Sequence, residues 1–99
     1  MKVRIQSINF DATSKLEAYI DKKLSKIGKF FDEVQNVDVY LKVIKPEAAV
    51  NKEAEIKISV PNMEFFASKT CDTFEEAIDL SVDAIDKQIK KYKGKFKKF

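Results

Sequence analysis

The chain has no histidine, one cysteine, two glycines and two prolines among 99 residues. Each shortage excludes something. Without histidine, no Ser-His or Cys-His nucleophile pair can be built, and imidazole metal sites are ruled out. Cys71 alone makes neither an internal disulfide nor a thiolate zinc site, and a single thiol suits a reducing compartment. Gly28 and Gly94 stand too far apart to form a phosphate-cradling glycine-rich loop. No run approaches the roughly 20 apolar residues that cross a bilayer. The opening Met1-Lys2-Val3-Arg4-Ile5-Gln6 has charge but lacks the apolar stretch of a signal peptide. The expectation is a cytoplasmic binding protein with no cofactor, metal, membrane contact or small-molecule substrate. An enzyme would need a pocket built from Asp, Glu, Lys and Tyr alone.

What is present is a globular composition, 44% hydrophobic and 35% charged. It suits a single domain over residues 1–99 that buries about two-thirds of its unfolded surface. The charge is laid down unevenly. Nineteen Lys+Arg against 16 Asp+Glu give +3, yet residues 87–99 hold seven lysines and no acid, which leaves the remainder at −4. The acids Glu75, Glu76, Asp79, Asp83 and Asp86 precede these lysines, an order that the helix dipole favours. Two or three lysines would satisfy that effect. Seven point to a polyanion, nucleic acid before others. The plainer alternatives are a solvated tail, or an interaction module whose basic tail docks an acidic protein.

Periodicity divides the chain into six elements. Val3 and Ile5 alternate with Lys2, Arg4 and Gln6, predicting a strand over 2–9. Thr13 or Ser14 is placed to cap a helix ending near Ile27 or Phe31, with Leu16, Tyr19, Ile20, Leu24, Ile27 and Phe31 on one face. Gly28 is either its C-cap or a small residue beneath a close neighbour. Val37, Val39, Leu41 and Val43 predict a second strand, and residues 45–52 with Pro46 a loop. Ala54, Ile56, Ile58 and Val60 predict a third strand. Pro61-Asn62 reads as a two-residue turn into a fourth strand over Met63–Lys69. The last helix is expected over 73–93, capped by Thr73 with Glu76 or by Asp72 with Glu75, and ended by Gly94. Its stripe is Phe74, Ala77, Ile78, Ser81, Val82, Ile85, Ile89 and Tyr92. Cys71 reads as a plain turn residue ahead of that helix.

The order β-α-β-β-β-α implies an α+β fold. A parallel βαβ unit leads into an antiparallel meander, and both helices cover one face of a four-stranded sheet. This is the order of a double-stranded-RNA-binding domain with one strand added in front. The second helix opens with Glu75-Glu76, however, which disfavours that family's phosphate-docking mode.

On the first helix Lys15, Lys22, Lys26 and Lys29 share a stripe about 60° wide, read as lying beside the apolar face. Lys23 points nearer the core and snorkels past it. On the last helix Lys87 and Lys91, with Lys98, form one stripe, and Lys90 and Lys97 another. Side by side, the helices would merge these lysines into one field. Lysines meet phosphate as mobile point charges, and the lone Arg4 offers little bidentate base readout, so recognition should follow backbone shape. Tyr40 and Phe66 are candidates for base stacking on the open sheet face, with edge packing the commoner role. Phe10, Phe30, Phe31, Phe65 and Phe74 read as core. Phe96 and Phe99 lie among lysines.

Three stretches now carry a resemblance: Ile20-Asp21-Lys22-Lys23-Leu24-Ser25-Lys26-Ile27-Gly28-Lys29-Phe30-Phe31-Asp32, Val39-Tyr40-Leu41-Lys42-Val43-Ile44-Lys45, and Ala77-Ile78-Asp79 followed by Asp86-Lys87-Gln88-Ile89-Lys90-Lys91-Tyr92-Lys93. Together they resemble the ribosome hibernation-promoting factors, also called ribosome-associated inhibitors or the sigma-54 modulation protein family. The likeness covers nearly the whole chain. It implies binding to the small ribosomal subunit between head and body, in the path of mRNA and of the A- and P-site tRNAs, so that idle ribosomes are held inactive. It also implies rRNA contacts through lysines of both helices. Carried over by position these are Lys23, Lys26, Lys87, Lys91 and Lys93, with Lys95 next. The stripe geometry adds Lys22, Lys29 and Lys90. A chain ending at Phe99 resembles the short form, without the second, dimerising domain, and is expected to be a monomer when free. It departs from the family at Thr73-Phe74-Glu75-Glu76-Ala77, where a tyrosine is common and Phe74 is placed to replace its packing.

Overall fold

A computed structural model of the chain describes residues 2–8, 10–31, 33–45, 47 and 49–97, with Phe30 and 94–97 described by backbone alone. Six elements follow in order: β1 (Lys2–Ile8), α1 (Ser14–Phe30), β2 (Asn36–Val43), β3 (Lys52–Val60), β4 (Met63–Cys71) and α2 (Phe74–Lys97). The strands lie in the order β1-β2-β3-β4. β1 pairs parallel with β2, and the remaining pairs are antiparallel. The α+β reading with order β-α-β-β-β-α is the architecture observed.

Alternation decides which side of the sheet is covered. Val37, Val39 and Leu41 of β2, Ala54, Ile56, Ile58 and Val60 of β3, and Phe65, Ala67 and Cys71 of β4 point to one side and are buried. Against them lie Leu16, Ile20, Leu24 and Ile27 of α1 and Ala77, Ile78, Ile85 and Ile89 of α2, in a single core cluster. Both helices therefore sit on one face. The other face carries the alternate residues, among them Arg4, Asp38, Lys57 and Phe66 in one cross-strand row. Among the described residues, no helix is long and apolar enough to cross a membrane.

The caps follow local chemistry. Thr13 caps α1, its hydroxyl accepting from the Leu16 N–H at 3.1 Å. Thr73 does the same for α2, accepting from Glu76 N–H at 3.1 Å, so it prevails over the Asp72 frame. Asn62 takes φ 69° in the two-residue turn between paired Val60 and Met63, a conformation that asparagine tolerates.

Several expected boundaries move. β3 starts at Lys52, inside the expected loop, because Lys52 pairs with Val43 on one side and Cys71 on the other. By the same pairing, Cys71 is the last residue of β4 and is buried, not a turn residue. Gly28 is not a C-cap. It lies inside α1, no glycine has positive φ, and Phe31 closes the helix by donating to Ile27 O at 2.9 Å. Gly94 does not end α2, which runs on to Lys97; glycine lowers helix stability by about 1 kcal/mol but forbids nothing. The side chains of Phe30 and Phe96, and all of Phe99 and Lys98, lie outside the described residues.

Candidate nucleic-acid interface

The site begins with three rings. Phe31 at the end of α1, Phe65 on β4 and Tyr92 on α2 meet edge to face, with centroids 6.0, 5.9 and 5.4 Å apart. Such pairs contribute about 0.5–1.5 kcal/mol each beyond their buried area. They also hold the C-terminal end of α1 against the second half of α2. Nearer the helix starts, the Tyr19 hydroxyl donates to Asp79 Oδ1 at 2.6 Å, and Phe10 stacks on Phe74 at 4.8 Å. The spans 19–31 and 79–92 are nearly equal, so α1 and α2 run parallel. Both N-termini lie at one end of the helical layer and both C-termini at the other.

That parallel course sorts the charge. Glu17, Glu75, Glu76 and Asp79 lie toward the N-terminal end, and Lys26, Lys29, Lys90, Lys91 and Lys93 toward the C-terminal end. Each helix C-terminus carries about −0.5 elementary charge from unpaired carbonyls. The lysines outweigh it and make that end cationic. α2, with 24 residues, is about 36 Å long and continues past the end of α1, carrying its basic segment beyond the aromatic triad. The molecule is accordingly elongated, 51 × 22 × 20 Å.

The expected site residues fall into three states. Lys22, Lys26, Lys29 and Lys91 are exposed, with no ion pair among the described residues. Lys87 and Lys90 are exposed but lean back one turn onto Asp83 at 3.1 Å and Asp86 at 3.0 Å. Exposed pairs of this kind contribute about 0.3–0.5 kcal/mol, so both lysines can exchange their acid for a phosphate at small cost. Lys23 and Lys93 are half-buried. Lys23 reaches Asp79 at 3.3 Å and lies 5.4 Å over the Tyr19 ring; Lys93 lies 5.6 Å over the Phe31 ring. The side chain of Lys95 lies outside the described residues.

The two lysine sets do not merge seamlessly. A cavity of about 270 Å³ runs between the helices, lined by Lys23, Lys26 and Ile27 from α1 and by Asp79, Val82, Asp83 and Asp86 from α2. Acids of α2 thus stand between the α1 lysines and the N-terminal half of α2. The fields join only toward the C-terminal ends. The stripe on α1 also needs correction. Lys15, Lys22 and Lys29 are exposed, and only Lys23 and Lys26 of that helix border the groove toward α2.

Tyr19 is pushed up to about 12, first by its hydrogen bond to Asp79, then by burial and by the nearby charge of Asp79 and Glu75. It is a neutral donor at any ordinary pH. The Cys71 thiol is also pushed up, by burial and then by Glu76 and Asp72, so it is no reactive thiolate. Among the described residues, no group of three or more His, Cys, Asp or Glu could hold a metal ion. Tyr40 and Phe66 form no shared stacking platform. They lie on β2 and β4 with β3 between them, and in different cross-strand rows; Phe66 is 53% exposed and Tyr40 half-buried. Sequence reasoning missed Asp79 as the partner of Tyr19, and Gln88, whose amide meets the backbone of β4. No local pattern announces a contact across sixty residues.

The family model described as Sigma 54 modulation protein / S30EA ribosomal protein matches residues 3–97. The chain belongs to this family. Among relatives in the S30EA family, a ribosome hibernation promoting factor of Pseudomonas putida is 32% identical over 95 residues, covering 96% of this chain and 89% of that one. One from Klebsiella oxytoca is 31% identical over 97 residues, covering 98% of each. The fold is similar to that of a ribosomal subunit interface protein from Coxiella burnetii, with a TM-score of 0.85 at 22% identity over 95% of this chain and 99% of the other. The aromatic triad and the lysine-rich helix ends lie within the stretch that the family model matches.

Proposed function

We propose that this chain is a ribosome hibernation factor. It binds the small ribosomal subunit in the channel used by mRNA and tRNA and inhibits translation by occupying that space. Family membership and the names of its relatives support the ribosome as partner. The observation that carries the finer reading is the convergence of two parallel helix C-termini into one lysine-rich end. A concave, phosphate-walled channel is matched by a narrow domain whose cationic end leads.

The contact residues in this reading are Lys22, Lys23, Lys26, Lys29, Lys87, Lys90, Lys91, Lys93 and Lys95. Lysine heads on flexible stems meet phosphates without demanding a base sequence. Lys23 and Lys93 hold their ammonium groups over a ring, an attraction that a phosphate contact must share or replace. With about six phosphate contacts, the log–log salt slope is roughly −4 to −5.

The test is sedimentation of the purified protein with ribosomes and with isolated small subunits, with and without saturating mRNA and initiator tRNA. Co-sedimentation with the small subunit that is lost on adding those ligands is the expected result. Failure to co-sediment at low salt would overturn it and favour a protein partner, whose capture from extract would survive RNase.

A further inference from the structure

Gln88 stands in the Asp86-Lys87-Gln88-Ile89 stretch and has no part in the phosphate contacts above. Its side chain points to the free edge of the sheet. Nε2 donates to Phe66 O at 2.8 Å, and Oε1 accepts from Phe66 N–H at 3.4 Å. The assignment of the two amide atoms follows from the partners, because a carbonyl requires a donor and an N–H an acceptor.

The pairing has a clear geometric origin. In an antiparallel ladder, every second residue turns its N–H and C=O away from its neighbour strand. β4 is the edge strand, and Phe66 is one of its outward-turned residues. The Gln88 amide presents a donor and an acceptor side by side, as the backbone of a further strand would. It therefore satisfies both groups at once while joining α2 to β4.

Polar contacts tie α2 to each of its neighbouring elements, besides the Lys23–Asp79 ion pair. Asp79 accepts from Tyr19 of α1, the Ser81 hydroxyl donates to Ala54 O of β3 at 3.4 Å, and Gln88 pairs with β4. The first two lie in the N-terminal half of the helix. Gln88 is set within the lysine segment, next to Lys87 and one turn before Lys91. The aliphatic contacts of α2 bury the helix with little directionality, and the Tyr92 edge contacts lie one turn beyond Gln88. A hydrogen-bonded amide is directional. A rotation of about 20° moves a head group about 6 Å from the axis by about 2 Å, enough to make or lose a phosphate contact.

We infer that Gln88 is a positioning residue that, by pairing with the open edge of β4, sets the rotation of the C-terminal half of α2 and hence the direction in which Lys87 and Lys91 meet phosphate. The inference rests on the reading of this end as the RNA-binding surface.

The test uses Gln88→Met, which keeps length, neutrality and helix propensity but removes both amide groups, with Gln88→Asn as a second variant that keeps the amide and shortens its reach. Binding to isolated small ribosomal subunits is measured as a function of salt, well below the melting temperature. Both variants are expected to bind about tenfold more weakly at low salt, with a log–log slope about 1 smaller, as one phosphate contact is lost. The Phe66 amide is expected to exchange about fivefold faster, the loss of one weak neutral hydrogen bond. Ile56→Val, a core change on β3 remote from the lysines, is the stability control and leaves the slope unchanged. A role confined to stability would lower the melting temperature of the Gln88 variants while leaving affinity and slope as in wild type, and that result overturns the inference. If the wild-type chain itself shows no salt-dependent binding, the RNA-surface reading falls, and the inference falls with it.

Discussion

At the N-terminal ends of α1 and α2, the stack of Phe10, just ahead of α1, on Phe74 is joined by the Tyr19–Asp79 hydrogen bond and the Lys23–Asp79 ion pair, among Glu17, Glu75 and Glu76. At the C-terminal ends, three rings do the joining, Phe31, Phe65 and Tyr92, among lysines. The same task is done with different materials. A carboxylate can accept a hydrogen bond and help hold its own end together. Lysines at the other end repel one another, and the acids nearest them, Asp83 and Asp86, pair with Lys87 and Lys90 within α2 itself. There the joining falls to apolar rings, and the charge stays available for a partner. Lys93 over Phe31 shows the compromise, a cation placed on a ring face.

The comparison breaks most sharply by charge reversal. Lys87→Glu, Lys91→Glu and Lys93→Glu together are expected to lower affinity for small subunits by more than about 100-fold, with the far-UV circular dichroism unchanged. Glu75→Lys with Glu76→Lys at the opposite end should change it by less than about threefold, because exposed charges a Debye length away are screened. Equal losses from both ends would deny that one end leads. Stability comes next. Phe65→Ala opens a cavity beneath both helix ends and is expected to cost about 3–5 kcal/mol in urea denaturation. Phe10→Ala, at a half-buried ring, should cost clearly less.

Tyr19→Phe sharpens the comparison through pH. The folded state raises this phenol from 10.0 to about 12, so the fold favours its protonated form. The stabilisation is fully present below pH 10 and is lost as pH rises through 12. At neutral pH the variant is expected to be less stable by about 1 kcal/mol, with the gap to wild type closing over that window. Urea melts at several pH values measure it, and a gap that stays constant to pH 12 would rule out the Asp79 bond as its source. The smallest effects are at single surface groups. Thr73→Ala should cost about 1 kcal/mol by uncapping α2, whereas Lys87→Ala should cost less than about 0.5 kcal/mol, since its pair with Asp83 is exposed.

Much of this was legible in the chain. Alternation at Val37, Val39 and Leu41 announced a strand with one buried face, and the spacing of Leu16, Ile20, Leu24 and Ile27 announced the face of α1. Caps were legible because Thr13 and Thr73 act on N–H groups three residues away. Ends were less so. Gly94 looked like a terminator, yet α2 continues through it, and β3 and β4 are longer than alternation alone suggested because pairing with neighbours extends them. Of the candidate site, the identities of the lysines were readable, but their states were not. The leaning of Lys87 and Lys90 onto acids one turn back fits an i,i+4 rule, whereas Lys23 on Asp79 and Lys93 on Phe31 join elements far apart in sequence.

By itself, the sequence determined the kinds and order of elements, the lysine block after residue 86 and the absence of histidine chemistry, because periodicity, capping and composition act within a few residues. Only the tertiary structure decided that the helices run parallel, that Phe31, Phe65 and Tyr92 meet, and that Gln88 completes the edge of β4. Those facts depend on which apolar faces bury one another and which strand is left at the edge, and that choice is made by the whole chain at once.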